Sequence, residues 1–424
     1  MIHYYRLQDK LLFSAKKIEG IAEIHAEKIM ISKNESIYYL TGNNWQNNNP
    51  VSVLIHPDQI LDTEVGVDIT RKQNEREILY NSIPEWIKER IKKKDVGICY
   101  HKHPRWKERL GWRKPEQWNI NIIGLGNVGG TLLTALKLLG GDIIKEIGIF
   151  DTNRKAVLRW EKEINQVFDS TGKRRLPDVV IIDSDKVFQA DIVVFCISIG
   201  VPSPDKKVGD VRMIQLEANS KIINYYAQKA RKMGFNGFFA ILSDPVDLLC
   251  QSALLASNFG RKGELDGKGL SADQIRGFGL GVMNGRAAYY AMKKNRVNNY
   301  LKNGRVFGPH GEGLLVADDV ENYNKEQSSF LTEKVLQANI ELRELGYKPY
   351  IAPALSSGAL SLLSFMKGEW HYSAAYLGGI YWGSRNRQST LGIEWEQYNF
   401  SNDLFMKIKE NYYKLKENAK ILEK

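Results

Sequence analysis

The chain has 424 residues, 43% of them hydrophobic, and carries a formal net charge of +11. This composition excludes wholesale disorder, and the length predicts two or three domains. We find no membrane-spanning run of about 18 apolar, charge-poor residues beyond the apolar unit at 118–150. Three dispersed cysteines and an N-terminus without a long apolar leader predict a reducing, cytoplasmic setting. The positive charge suits nucleic acid, a membrane surface or small anionic ligands, and does not choose among them.

Residues 1–117 read as a small α+β domain of unknown role. Apolar and β-branched runs predict short strands at 28–32, 36–41, 51–56 and 96–100, and a helix is predicted at 84–94. The stretch between 42 and 50 is rich in asparagine and predicts a loop.

Two features of this region suggest chemistry and are weighed against plainer interpretations. Cys99, His101 and His103 alternate and would share one face of a strand. A metal site needs a fourth ligand in a closed geometry, so we predict a surface strand and no metal. Residues 88–114 combine many lysines and arginines with aromatic residues. A nucleic-acid patch is the alternative there, and we prefer a solvated linker face.

A glycine-rich turn between two apolar strands is the most informative motif. A strand predicted at 118–123 leads into Gly124-Leu125-Gly126-Asn127-Val128-Gly129, which opens a predicted helix. In this pattern Gly124 permits the tight turn, Gly126 lets a pyrophosphate approach the backbone, and Gly129 allows close packing of helix on strand. The helix N-terminus then faces the phosphates with free N–H groups. The motif predicts a dinucleotide site.

An acid at the end of the next strand indicates which dinucleotide binds. Asp151 follows the strand predicted at 146–150 and lies about 20 residues after the last glycine, the usual spacing for a ribose-binding carboxylate. This carboxylate would repel a 2′-phosphate, so we predict NAD rather than NADP as the cofactor.

The rest of the chain alternates strands and helices. Continuous apolar runs predict strands at 178–183, 190–198 and 237–242, as in a parallel sheet covered on both faces. Helical periodicity dominates 320–366, with breaks predicted at Pro349 and Pro353, and returns at 400–424. We therefore predict an α/β fold: a doubly wound, parallel-sheet Rossmann domain at 118–247, followed by an α+β substrate domain at 248–424.

Five separated stretches carry a family resemblance. They are Gly124-Leu-Gly-Asn-Val-Gly129, Gly209-Asp-Val-Arg212 with Asn219, Ser243-Asp-Pro-Val-Asp247, Gly277-Phe-Gly leading to Arg286, and Gly308-Pro-His-Gly-Glu312. In this order they resemble the lactate/malate dehydrogenase family of NAD-dependent 2-hydroxyacid dehydrogenases, over about residues 119–395. The resemblance implies hydride transfer between NAD and a small 2-hydroxy or 2-oxo acid, and a homodimer or homotetramer. It disfavours nucleic acid and membrane as partners.

The resemblance also implies roles for individual residues. His310 would exchange the proton at the carbonyl oxygen, since an imidazole titrates near neutrality. Arg286 would clamp the substrate carboxylate, and Arg212 would close over the carbonyl from a mobile loop. Besides the glycine turn with Asn127 and Val128, the implied cofactor-binding residues are Ser198, Gly200, Asn219 and Ser243.

The sequence departs from the family where the histidine should have a carboxylate partner. Met283 stands at the position of that aspartate, whereas Asp244 replaces the asparagine of the Asn-Pro-Val-Asp motif. We hypothesise that the changes compensate and that Asp244 pairs with His310, with Glu312 as a rival partner. The alternative is a catalytically impaired NAD-binding regulatory or scaffold protein.

Substrate choice also departs from the family. Lys206 and Lys207 lie near the discriminating position of the mobile loop, and Lys348 replaces the usual threonine of the pocket wall. Extra cations predict a second anionic group on the substrate, as in malate, unless these are ordinary surface lysines.

Overall fold

A fifteen-stranded sheet organises the part of the chain that the computed structural model describes. The described residues are 2–25, 35–42, 45–56, 59–60, 65–72, 83–199, 211–260, 263–293, 297 and 299–423. Their strands are β1 His3–Leu7, β2 Lys10–Ser14, β3 Glu23–Ile24, β4 Ile37–Thr41, β5 Val51–Val53, β6 Gly97–Tyr100, β7 Trp118–Ile123, β8 Ile144–Phe150, β9 Asp178–Ile181, β10 Ile192–Phe195, β11 Phe238–Ile241, β12 Ile275–Gly277, β13 Arg305–Phe307, β14 Leu315–Ala317, β15 His371–Leu377, β16 Ile380–Ser389 and β17 Gly392–Trp395.

Helices cover both faces of this sheet. They are α1 Glu85–Lys92, α2 Trp106–Gly111, α3 Asn127–Leu139, α4 Arg154–Asn165, α5 Val211–Lys232, α6 Val246–Asn258, α7 Leu280–Lys293, α8 Tyr300–Asn303, α9 Lys325–Glu344, α10 Ser361–Lys367 and α11 Asn402–Ala419. A π-helical segment, Pro353–Leu360, precedes α10. None of the helices within the described ranges is long and apolar enough to cross a membrane.

Six neighbouring strands form the predicted doubly wound unit. They are all parallel and follow the order β9-β8-β7-β10-β11-β12. Their apolar side chains are buried on both faces, as Ile122 and Ile123 of β7 show by packing into two different core clusters. The strand order reverses between β7 and β10, which opens a crevice at the carboxyl ends of these strands. The α/β Rossmann prediction is confirmed.

An antiparallel meander continues the sheet beyond β12. Strand β15 pairs with β12 through Gly277 and Ala374, and β16 and β17 follow in antiparallel order. Strand β17 then pairs with β5 through Ile393 and Ser52, so the N-terminal strands extend the same sheet. The division at 117 and 247 into separate domains stays a prediction.

The N-terminal region matches some predictions and corrects others. The elements β4, α1 and β6 lie where predicted, and β5 ends earlier, at Val53. The hairpin of β1 and β2 was not predicted, and the strand predicted at 28–32 lies outside the described residues.

For residues 88–114, one expectation was wrong and another was wrong at a single residue. Strand β6 ends at Tyr100, and both Cys99 and His103 are buried, so 99–103 is not a surface strand. The prediction of a solvated face fails at Arg109. This arginine is buried, and its guanidinium donates to the Asp273 carboxylate over 2.9 Å. Across the described residues no group of three or more His, Cys, Asp or Glu side chains could hold a metal ion.

Candidate active site

The glycine turn has the backbone geometry that a pyrophosphate cradle needs. Gly124 has φ +93°, in the left-handed region that glycine adopts without strain. At Gly129 a Cβ atom would collide with the Gly124 carbonyl oxygen, so only glycine lets α3 pack this closely. Gly126 is the N-cap of α3, and a Cβ there would meet only open space, the space that a phosphate would fill. The turn and the helix N-terminus fit the phosphates of a dinucleotide.

Asp151 lies beside this turn at the end of β8. One carboxylate oxygen accepts the Leu125 N–H over 2.7 Å, and the other accepts the Asn153 N–H over 2.8 Å. These bonds fix the carboxylate at the wall of the crevice. The predicted position of a ribose-binding acid is therefore consistent with the structure.

A cleft of about 810 Å³ runs from the glycine turn to the second half of the chain. It contains predicted residues from both ends of the site, including Gly124, Asp151, Asp244 and His310. Its other predicted lining residues are Gly126, Asn127, Val128, Ser198 and Lys348. The fold thus brings together residues that lie more than 200 positions apart in sequence.

His310 is held by three contacts at the inner end of the cleft. Its backbone N–H donates to the Asp247 carboxylate over 2.8 Å, and its Nδ1 lies 2.8 Å from the Gly279 carbonyl oxygen. Its Nε2 lies 3.6 Å from Oδ1 of Asp244, whose side chain is 49% exposed. Asp244 is therefore on the cleft side of the imidazole, and a neutral backbone carbonyl stands on the other side.

The two remaining carboxylates near this histidine behave differently. Asp247 is buried, and burial raises its pKa to about 7. The hydrogen bond from the His310 N–H opposes this shift without cancelling it. Glu312, the rival partner, is mostly exposed and pairs with Lys414 over 3.0 Å. This geometry favours Asp244 over Glu312 as the charge next to the imidazole.

Arg286 lies on α7 behind the cleft wall. Its guanidinium donates to the amide oxygen of Asn339, which lines the cleft, and to Sδ of Met283 over 3.7 Å. Burial lowers the pKa of this arginine, and the nearby charges of Tyr290 and Asp244 raise it. The methionine at the family's aspartate position contacts the arginine.

The end of α9 supplies residues that the sequence analysis missed. Asn339 and Arg343 are one helical turn apart and both line the cleft, as do Tyr347 and Tyr350 in the segment that follows. The i, i+4 spacing of Asn339 and Arg343 was the available signal. Arg343 and Lys348 together place two cationic side chains in the outer cleft.

Other predicted cofactor residues lie beneath the cleft surface. Asn219 is fully buried: its amide oxygen accepts the Ile199 N–H over 2.9 Å, and its amide nitrogen donates to the Asp244 carbonyl oxygen over 2.7 Å. The buried Ser243 hydroxyl donates to the Ile197 carbonyl oxygen over 2.6 Å. Both side chains tie together the loops that follow β10 and β11.

Four residues with roles assigned from the sequence belong to the predicted mobile loop and the helix start that follows it. Gly200, Lys206 and Lys207 lie outside the described residues. Arg212 is in the first turn of α5, and its side chain also lies outside them. Their assigned roles stay predictions.

The fold and the cleft define a dinucleotide-binding protein, and comparison with known proteins narrows the class. Residues 118–264 match the family model described as lactate/malate dehydrogenase, NAD binding domain. An L-lactate dehydrogenase of Lactobacillus helveticus is 25% identical over 247 residues, 55% of this chain and 68% of the relative. One of Shouchella clausii is 30% identical over 206 residues, 48% of this chain and 56% of the relative.

Solved structures show the same fold. A lactate dehydrogenase from a Medee basin deep-sea metagenome library aligns with a TM-score of 0.59 at 17% identity, over 73% of this chain and 100% of that one. The malate dehydrogenase of Picrophilus torridus aligns with a TM-score of 0.57 at 18% identity, over 72% and 97%. The chain is thus similar to lactate/malate dehydrogenases, and residues 118–264 match the NAD-binding domain of that family.

Proposed function

We propose that the protein is an NAD-dependent oxidoreductase that interconverts a 2-hydroxy acid and its 2-oxo acid. The observation that carries this proposal is the shared cleft, in which the glycine turn and His310 line one continuous space. A nicotinamide held by the turn and a proton-exchanging imidazole are the two groups that this reaction needs.

The proposed chemistry divides between the cofactor and the chain. NAD supplies the hydride acceptor or donor when it is bound. His310 takes up or delivers the proton of the substrate hydroxyl at Nε2, the ring nitrogen that faces the cleft. Arg286, which contacts the cleft-lining Asn339, is the proposed partner of the substrate carboxylate through its planar guanidinium. Arg212 keeps its predicted role at the carbonyl.

Asp244 takes the role of charge partner in this proposal. The family's aspartate position is occupied by Met283, and the carboxylate of Asp244 lies 3.6 Å from Nε2 of His310. A carboxylate at this distance acts on the ring electrostatically. The proposed compensation therefore acts from the cleft side of the ring.

We further propose a substrate with a second anionic group. Arg343 and Lys348 both line the outer cleft, and no described carboxylate pairs with either of them. A dicarboxylate would place its second carboxylate between these cations. Steady-state kinetics with malate and oxaloacetate against lactate and pyruvate test this, and a preference for pyruvate would contradict it.

The decisive experiment measures turnover directly. The protein is incubated with NAD or NADH and a panel of 2-hydroxy and 2-oxo acids, and the absorbance of reduced nicotinamide is followed. We expect turnover that is lost in His310→Ala and kept in His101→Ala, a histidine away from the cleft. Cofactor binding without turnover on any acid would instead support the regulatory or scaffold alternative.

A further inference from the structure

We infer that Ser357 is a positioning residue for His310 and acts through the Gly279 carbonyl group. This inference rests on the proposed function for its kinetic consequences, but its structural content concerns the ring of His310 alone. The serine lies in the π-helical segment 353–360, far from the histidine in sequence.

The Gly279 carbonyl oxygen has two side-chain partners. The Ser357 hydroxyl donates to it over 2.6 Å, and Nδ1 of His310 lies 2.8 Å away. The same hydroxyl oxygen accepts the Val282 N–H over 2.8 Å, so its single proton is directed to Gly279. Ser357 is 2% exposed, so its hydroxyl is largely shielded from water.

These contacts decide which ring nitrogen of His310 carries the proton. A carbonyl oxygen can only accept, so the contact at Nδ1 requires an N–H there. The neutral ring then has its bare nitrogen, Nε2, on the cleft side. Asp244 favours the other tautomer, with the proton on Nε2, because its carboxylate would accept an Nε2–H. The more firmly Ser357 holds the Gly279 carbonyl group, the more the tautomer protonated at Nδ1 is favoured over the one protonated at Nε2.

The surrounding backbone has little freedom to adjust. A Cβ atom at Gly279 would lie 2.8 Å from both Cβ and Cγ of His310, so a glycine is needed for the ring to lie against this peptide. The π-helical segment packs on α7, and Pro353 and Ser357 both line the cleft. Short π-helical turns are frequent at functional sites. The π-helical segment thus lines the cleft and also holds the carbonyl group that contacts His310.

The test begins with the protein alone, without cofactor. Histidine labelled with ¹⁵N distinguishes protonated from bare ring nitrogens, and the signal lost in His310→Ala assigns this ring among the seven histidines. At a pH where the ring is neutral, we expect wild-type His310 to be protonated at Nδ1. In Ser357→Ala we expect the Nε2-protonated tautomer to appear. Ser357→Cys, a weaker donor of similar shape, should be intermediate.

Kinetics on an accepted substrate supply the second readout. Ser357→Ala should lower kcat about tenfold with little change in KM, the size of effect typical of residues that orient an active group. Ser361→Ala is the matched control, because this buried hydroxyl donates to the Ser356 carbonyl oxygen and not to Gly279. It should change neither readout.

Two results would overturn the inference: a wild-type ring protonated at Nε2, or identical ring signals in Ser357→Ala and Ser361→Ala. A protein without turnover on any acid would defeat the proposed function and leave the ring measurement valid.

Discussion

The carboxylate next to His310 is that of Asp244 and lies on the cleft side of the ring. This position predicts the effect of a substitution at Asp244. In Asp244→Asn the side chain keeps its size and loses the carboxylate that lies 3.6 Å from Nε2. Because that carboxylate lies beside the ring that exchanges the proton, we expect hydride transfer to slow by about tenfold, which corresponds to roughly 1.4 kcal/mol of transition-state stabilisation. Rapid mixing with NADH and an accepted 2-oxo acid measures the step.

Asp142→Asn is the control for this substitution, since Asp142 is exposed between α3 and β8 and does not line the cleft. Hydride transfer at the wild-type rate in Asp244→Asn would contradict the compensation of Met283 by Asp244.

Asp247 gives a prediction about stability and pH. Burial raises its pKa from 3.8 to about 7, so the folded protein favours the protonated carboxyl. The stabilising effect of this proton is complete below pH 4 and is lost as pH rises towards 7. The loss amounts to at most about 1.4 kcal/mol of unfolding free energy per pH unit in that window.

Asp247→Asn should remove this dependence, since an amide oxygen can still accept the His310 N–H. Urea unfolding of both proteins between pH 5 and 8 gives the difference in unfolding free energy. We expect that difference to shift in favour of the variant as pH rises. His103 and His371, whose pKa values burial lowers to about 4, affect both proteins alike and cancel. A difference that is constant with pH would contradict the raised pKa.

At the scale of elements, local patterns predicted the nucleotide-binding unit well. Apolar runs, the glycine spacing and the following acid predicted the segment from β7 to β8. Each of these patterns determines the structure of the strand or turn that carries it, so no distant part of the chain is needed. The meander β15 to β17 was not predicted. Its pairing depends on β12 and β5, and β5 lies more than 300 positions away from β17.

The site was predictable where side chains carry the chemistry and not where the backbone does. Family departures pointed to Asp244 as the partner of His310, and the structure places them side by side. The acceptor at Nδ1 is the carbonyl of Gly279, and every residue has such a group, so no sequence signal marks it. The π-helical segment was hidden by the breaks predicted at Pro349 and Pro353.

The molecule as a whole depends on how the N-terminal region is attached to the rest of the chain. Besides the pairing of β5 with β17, α2 contributes a buried ion pair between Arg109 and Asp273. Burial alone would raise the pKa of Asp273, but the guanidinium of Arg109 and the Ser271 hydroxyl hold it below its usual value. Arg109 also donates to the carbonyl and amide oxygens of Asn236.

Arg109→Met should therefore destabilise the protein strongly, by about 3–5 kcal/mol, because it leaves a buried carboxylate without its partner. Arg113→Met is the matched control: Arg113 forms an exposed pair with Asp9 at 2.5 Å, and its loss should cost less than about 1 kcal/mol. Urea unfolding at neutral pH measures both. Adding Asp273→Asn to Arg109→Met removes the unpaired charge and should recover part of the loss. Equal effects of Arg109→Met and Arg113→Met would mean that this ion pair does not attach the N-terminal region to the rest of the chain.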